Sequence, residues 1–298
     1  MKPSSFSAAN NGFTLLEMLF SMVVLVMLVV LVAQLMSSAT LVTNQSGKRM
    51  DSDNQVRAIF DRLASDFNSM VKRQDVDYIF AKQAGNDTMY FYSEAPAYFD
   101  STVSDGAKSS MSLVGYRVNS SFQLERLSRG LTWDGGPAPS PSPGSVVFLT
   151  PSGSTTPDSA STIAGNWASM VGSWPNYSDG SGADYHVVGD QVYRLEVTFL
   201  QTNGVLSNSV TSYNGLQNVS AIVVALGMLD TTSRVILLQN GQIPVATGNT
   251  MIGALQDSVD GTPVLQTWKA STYLTTSGVP QSAAAQLRIY ERVFYLTR

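Results

Sequence analysis

The sequence predicts an α+β protein in which a long N-terminal helix, with a transmembrane first half, packs on antiparallel β-sheet. One observation is an apolar run from Leu15 to Met36. Beyond Met36, apolar residues recur with the periodicity of a helix. Another is a series of short segments beyond Gln74 in which apolar and polar residues alternate. A helix followed by hairpin-forming strands is typical of α+β packing.

The first half of the helix is predicted to cross a membrane. The run from Leu15 to Met36 is apolar apart from Glu17, Ser21 and Gln34. At about 1.5 Å per residue it spans roughly 30 Å, the thickness of a bilayer core. We therefore assign residues 13–36 to a transmembrane helix.

The second half of the helix is predicted to be amphipathic over residues 37–74. Apolar residues recur there at three- and four-residue steps, namely Val56, Ile59, Phe60, Leu63, Phe67, Met70 and Val71. Such a stripe buries one side of a helix, here on a sheet. Gly47 and the polar stretch around it predict a point where the helix loosens or breaks.

Residues 75–298 are predicted to form a β-rich globular domain. Strands are predicted at 88–93, 112–118, 122–127, 146–149, 186–200, 219–229 and 288–296, with hairpin turns at 119–121 and at Asn203-Gly204. Short helices are predicted at 166–171, 251–257 and 264–273. Residues 130–184 form an insert rich in Gly, Pro and Ser, which predicts loops over most of its length.

Composition excludes several functions. The chain has 298 residues, a net charge of −4 and no cysteine, so disulfides and thiolate metal sites are absent. Its scattered basic residues offer no electrostatic basis for direct binding of nucleic acid. Charged residues make up only 13% of the chain, which suits an extracytoplasmic surface of strands and loops.

No constellation in the sequence predicts catalysis, and we expect no enzyme and no cofactor. The chain has one histidine, His186. It has no Gly-x-Ser-x-Gly nucleophile elbow whose serine this histidine could activate as a general base. The segments 51–54 and 75–77 resemble fragments of calcium loops, but they lack the glycine and the glutamate of the full motif. We predict no metal site, although a bound calcium ion stays open. The insert region holds three tryptophans, which anchor the loop onto the domain or contact a carbohydrate or a protein: Trp133, Trp167 and Trp174.

Glu17 is the one charge between Lys2 and Lys48. A carboxylate at membrane depth costs about 2.5–3.5 kcal/mol, so it needs a partner or a purpose. Cleavage between Gly12 and Phe13 would supply a partner, because Phe13 would gain a charged amine four residues before Glu17. A plainer explanation is an acid at a helix N-terminus, which the helix dipole favours by about 0.3–1 kcal/mol.

Two other accounts of the N-terminus compete with this cleavage. A secretory signal would be cut near Ser37-Ser38-Ala39, but its apolar region is usually shorter and carries no acid. A plain signal anchor would leave Glu17 unexplained. Cleavage before Phe13 accounts for both the length of the apolar run and the acid.

The segment from Gly12 to Leu19, Gly-Phe-Thr-Leu-Leu-Glu-Met-Leu, resembles the prepilin signature of type IV pilins and type II secretion pseudopilins. The resemblance implies a leader, residues 1–12, that a prepilin peptidase removes at the Gly12-Phe13 bond. It further implies N-methylation of Phe13 and a role for Glu17 in filament assembly. The sequence departs from the family in having one basic leader residue, Lys2, and no proline midway along the helix.

A weaker resemblance covers the globular domain. Residues 114–118, Val-Gly-Tyr-Arg-Val, and residues 122–127, Phe-Gln-Leu-Glu-Arg-Leu, look like paired strands of J-class minor pseudopilins. The resemblance implies a pilin-like fold and a minor pseudopilin in the tip complex that initiates a periplasmic pseudopilus for type II protein secretion. The chain would cross the bacterial inner membrane once, with a cytoplasmic N-terminus and a periplasmic globular domain.

The same resemblance implies the partners, which are the prepilin peptidase, other major and minor pseudopilins or pilins, the inner-membrane assembly platform and membrane lipid. One alternative is a minor pilin of a type IV pilus used in adhesion, motility or DNA uptake. A second alternative is a membrane-anchored periplasmic binding protein or enzyme. The sequence does not identify the cargo or the particular partner subunits.

Overall fold

The computed structural model describes residues 14–73, 76, 78–98, 108–131, 185–210, 216–270, 279–284 and 286–296. Helix α1, Leu15–Asn68, continues through Gly47, so the break predicted there does not occur. By its contacts the chain divides into two units, Met1–Met50 and Asp51–Arg298. The long helix and the antiparallel sheets confirm the predicted α+β class.

Helix α1 ends at Asn68, several residues earlier than predicted, because the chain then enters a sheet. Met70 forms a bridge with Ser93, and the Val71 amide donates to the carbonyl of Tyr92 at 2.8 Å. The predicted apolar stripe is buried as expected from Val56 to Met70. The periodicity of the sequence thus identified the buried side of the helix but not its end.

The first sheet has the strand order β1-β2-β5-β6-β7 in the described part of the chain, and each neighbouring pair is antiparallel. Its strands are β1 (Tyr78–Ala81), β2 (Thr88–Ser93), β5 (Ser112–Val118), β6 (Leu124–Gly130) and β7 (Tyr185–Gly189). A small two-stranded sheet of β3 (Ala97–Tyr98) and β4 (Lys108–Ser109) lies between β2 and β5 in sequence. The predicted hairpin at 119–121 is confirmed as the β5–β6 turn.

The second sheet has the order β11-β10-β8-β9 among the described strands, again antiparallel throughout. These strands are β8 (Val192–Gln201), β9 (Leu206–Ser207), β10 (Val219–Met228) and β11 (Arg288–Tyr295). The predicted turn at Asn203-Gly204 is confirmed, with a φ of 82° at Gly204 that favours glycine. Strand β11 closes one edge of this sheet.

Four further helices follow β10 in the described residues: α2 (Thr231–Leu237), α3 (Val245–Ala254), α4 (Val264–Ala270) and α5 (Gln281–Ala284). Helix α2 was not predicted, although Asp230 caps it by accepting from the Ser233 amide. The helix predicted at 251–257 is displaced, since α3 begins at Val245. Gly248, in the first turns of α3, lies directly under the ring of Phe122, which leaves no room for a side chain there.

Among the described residues, three hydrophobic clusters hold the second unit together. The largest lies between α1 and both sheets, and includes Leu63, Phe91 and Val224. A second uses the opposite face of the first sheet, with Tyr90 and Tyr92. The third packs α2–α5 on the second sheet. The strand predicted at 146–149, the helix at 166–171 and most of the insert lie outside the described residues.

Candidate functional site

The predicted cleavage bond lies outside the described residues, which begin one position after it. Gly12 and Phe13 therefore stay sequence predictions, and Thr14 is the first residue with a described position. Helix α1 begins directly afterwards, at Leu15. Glu17 occupies the first turn of that helix, where the sequence analysis placed it.

Thr14 and Glu17 form a reciprocal cap at the start of α1. The amide and the hydroxyl of Thr14 both donate to Oε2 of Glu17, at 3.2 and 3.1 Å. In return the Glu17 amide donates to the Thr14 hydroxyl at 3.3 Å. This is a capping box, which satisfies helix amides that would otherwise lack acceptors. The Thr-x-x-Glu spacing in the sequence indicates this box, whereas the plainer role expected for Glu17 rested on the helix dipole alone.

The side chains around Glu17 are apolar and exposed. Residues Leu15–Thr43 form a helical stretch that is long and apolar enough to cross a membrane, judged by length and composition only, and none of it is buried inside the protein. Leu15, Leu16 and Met18 each expose most of their surface. Exposed apolar surface of this extent needs lipid or protein to cover it.

The part of α1 that follows Asp51 is held to the first sheet by a buried ionic contact. Arg126 on β6 donates to both carboxylate oxygens of Asp66, at 2.7 and 2.8 Å. The Tyr116 hydroxyl on β5 donates to the same carboxylate at 2.5 Å. Burial raises the pKa of Tyr116, and the Asp66 carboxylate raises it further, so the hydroxyl stays protonated. Two strands and the helix thus converge on one carboxylate.

Helix α1 also contacts the edge strand of the second sheet through polar groups. Tyr290 donates to Asp53 at 2.6 Å, and Arg292 pairs with Asp61 at 2.9 Å. Asp51 accepts hydrogen bonds from Gln191 and Thr231. The acidic segment 51–54, which resembles a calcium-loop fragment, is therefore helical and engaged with the fold.

The loop between β1 and β2 covers an edge of β8 with its side chains. Asn86 donates to the Tyr193 carbonyl at 3.1 Å and accepts from the Leu195 amide at 2.7 Å. Asp87 accepts from the Val197 amide at 2.8 Å. These side chains make the bonds that a neighbouring strand would make with its backbone, and they join the two sheets.

A buried ionic cluster extends from this loop across β8. Lys82 contacts both Asp87 and Glu196, and Arg194 contacts Glu196 and Asp257, the latter two at 2.7 Å. Burial and the neighbouring Glu196 raise the pKa of Asp87 to about 6, against the opposing effect of Lys82. Sequence reasoning missed this cluster, because its members are far apart along the chain.

The described residues offer no catalytic or metal-binding constellation. His186 lies exposed on β7, and its backbone pairs with that of Arg126. No group of three or more His, Cys, Asp or Glu side chains able to hold a metal occurs in the described ranges. Asp75, Asp77 and the three insert tryptophans fall outside those ranges.

No family model matches the chain, and no curated protein matches it. A type IV-like pilin from Thermus thermophilus, TTHA1219, is similar in structure, with 13% identity and a TM-score of 0.35. The match covers 81% of this chain and 92% of the pilin. Similarity at this level does not establish a shared family, so the function is inferred from the chain's own residues.

Proposed function

We propose that this chain is a pilin-type structural subunit, inserted in the bacterial inner membrane by α1 and trimmed between Gly12 and Phe13. The observation that carries the proposal is Glu17, a carboxylate in the first turn of α1 and the one charge in the exposed apolar stretch Leu15–Thr43. The capping box alone does not require the charge, because glutamine serves at the same position, and a charged group in lipid is unfavourable.

The geometry of the capping box supports a further partner for Glu17. Both hydrogen bonds from Thr14 end on Oε2, so the described residues leave Oε1 without a hydrogen-bond donor. The ammonium group of a neighbouring subunit's Phe13 would fill that position. In a low-dielectric filament core, such a pair is specific, since breaking it on one side costs about 3–5 kcal/mol.

Within this class we propose a minor pseudopilin of type II secretion, acting in the tip complex of a periplasmic pseudopilus. The proposal rests on the resemblance of the β5–β6 hairpin to J-class strands. Tyr116 and Arg126, one from each strand, both bind Asp66 of α1, so the resembling segment is the part of the sheet that holds the helix. A minor pilin of a type IV pilus would share this architecture.

Processing is tested by expressing the full chain with a prepilin peptidase and measuring the intact mass and the N-terminal peptide. We expect a protein that begins at methylated Phe13. A Gly12→Leu variant is the control, which should keep its leader because the residue before the cut is changed. A wild-type product that begins elsewhere, or that stays uncut, would contradict the proposal.

Assembly is tested with Glu17→Ala in a strain that carries the rest of the machine. We expect the variant to insert and be trimmed, yet to be missing from sheared filaments and from co-purified subunit complexes. Glu94→Gln, which changes an exposed carboxylate in the second unit, is the matched control. Loss of secretion identifies the pseudopilin role, whereas loss of surface pili identifies the pilus alternative. Normal assembly of Glu17→Ala would refute the docking role.

A further inference from the structure

An open groove of about 660 Å³ lies beside the buried ionic cluster. One wall is the β1–β2 loop at 84–86, and the other is formed by α3 together with the segment 255–257 that follows it. Asn249 and Gln256 contribute amide side chains to the lining, and Asp257 contributes a carboxylate.

The groove is held in shape by groups that are themselves buried. Arg194, whose side chain is fully buried, donates to Oδ1 of Asp257 at 2.7 Å and to the Leu255 carbonyl at 3.3 Å. The indole of Trp268 donates to the Gln256 carbonyl at 2.9 Å. The Gly85 amide also donates to Oδ1 of Asp257, at 3.0 Å, and ties the two walls together. A ligand would therefore meet a preformed surface.

Among the described residues, the charges of the cluster do not balance. Lys82 and Arg194 face three carboxylates, those of Asp87, Glu196 and Asp257, which leaves one surplus negative charge. Glu196 is fully buried, whereas the Asp257 side chain is 44% exposed. The raised pKa of Asp87, to which Glu196 contributes, agrees with an excess of negative charge.

The surplus charge is directed at the groove. Both donors to Asp257 bind its Oδ1, and among the described residues its Oδ2 has no hydrogen-bond partner. Gly253 lines the groove beside Asp257 and leaves space open there, because a Cβ atom at this position would have no neighbour within 4 Å. An occupant needs a positive charge, and it needs groups that pair with the amide side chains along the lining.

We propose that this groove binds an extended loop of a partner protein through a guanidinium or ammonium group that pairs with Oδ2 of Asp257. Asn249 and Gln256 line the same groove, and their side-chain amides would bond the loop's backbone. A metal ion fits less well, because the described residues bring no second free carboxylate to this position. Binding in this groove does not depend on filament assembly, so either proposal can fail without affecting the other.

The probe is the peptide acetyl-Gly-Ser-Arg-Ser-Gly-amide, titrated into the full chain in nonionic detergent. We expect saturable binding that weakens with added salt, because dissolved ions screen the attraction between the arginine of the peptide and Asp257. The same peptide with citrulline in place of arginine keeps the shape without the charge and should not bind. Ethylammonium, which offers the charge alone, should bind more weakly than the arginine peptide.

Three variants locate the binding. Asp257→Asn keeps an oxygen for Arg194 and should weaken the arginine peptide by about tenfold or more. Gly253→Gln fills the groove from a position with open space and should do the same. Glu94→Gln, outside the groove, should bind as the wild type does. Equal melting temperatures establish that the variants fold.

The proposal is overturned if folded Asp257→Asn binds like the wild type, if the citrulline peptide binds equally well, or if no saturable binding occurs. Ethylammonium that binds as tightly as the peptide would also overturn it, because the occupant would then be a small cation and not a protein loop.

Discussion

Arg126 and Asp66 join the first sheet to helix α1 by two hydrogen bonds, at 2.7 and 2.8 Å, in a site that excludes most solvent. A buried pair of this kind contributes little net stability compared with apolar packing. Removing one member, however, leaves the other charge buried without a partner. Its main effect is on orientation, because a bidentate contact fixes the helix against β6.

Asp66→Ala is expected to reduce the free energy of unfolding by about 3–5 kcal/mol, because it leaves Arg126 buried without its partner. Urea unfolding of the full chain in detergent, followed by tryptophan fluorescence, measures the loss. The double variant Asp66→Leu with Arg126→Met should lose less than Asp66→Ala. If the free energy of unfolding of Asp66→Ala lies within about 1 kcal/mol of the wild-type value, water solvates the Arg126 side chain that the variant leaves without its partner.

Gly248→Ala is expected to destabilise the protein by about 1–3 kcal/mol through overpacking. A Cβ atom at this position would lie 1.9 Å from Cζ of Phe122, well inside contact distance. Gly253→Ala is the matched control on the same helix, where a Cβ meets nothing within 4 Å. That control should be neutral or stabilising by up to about 1 kcal/mol. Equal melting temperatures for the two variants would contradict the packing of α3 on Phe122.

The stability of the fold should fall as the pH rises through the range set by Asp87. Its pKa is raised from 3.8 to about 6 in the folded protein, mainly by burial and then by Glu196. The folded state therefore binds the proton more tightly than the unfolded state does. The resulting stabilisation is complete below about pH 4, declines as Asp87 ionises and is absent above about pH 6.

Urea unfolding at several pH values between 4 and 7 measures this effect. Asp87→Asn removes the titrating group, so its stability should change less with pH across this range. The difference between the two pH profiles should total roughly 3 kcal/mol at most. Parallel profiles would mean that Lys82 and the Val197 amide keep Asp87 ionised throughout.

Thr14→Val is expected to loosen the first turn of α1 by about 0.5–2 kcal/mol, because valine keeps the shape of threonine but not its hydroxyl. Hydrogen exchange of the Glu17 amide in detergent should accelerate, since that amide donates to the lost oxygen. Thr40→Val is the control within the same helix, where the hydroxyl bonds only the Met36 carbonyl. Unchanged exchange at Glu17 would refute the capping box.

The sequence by itself determined the features that depend on neighbouring residues. Period-two alternation located β8, a continuous apolar and β-branched run located β10, and three- and four-residue spacing located the buried stripe of α1 from Val56 onward. The position of Glu17 in the first turn of an apolar helix also follows from sequence alone. Local pattern suffices for these features, because residues close in sequence determine which faces of each element are apolar.

Only the tertiary structure decided which distant groups meet. Asp66 comes together with Arg126, and Asp87 with Glu196, because the fold stacks α1 and the β1–β2 loop on strands far along the chain. The packing of α3 also depends on a distant contact, since the ring of Phe122 lies directly over Gly248. Charge pairing and close packing depend on contacts between remote segments, and no local pattern records them.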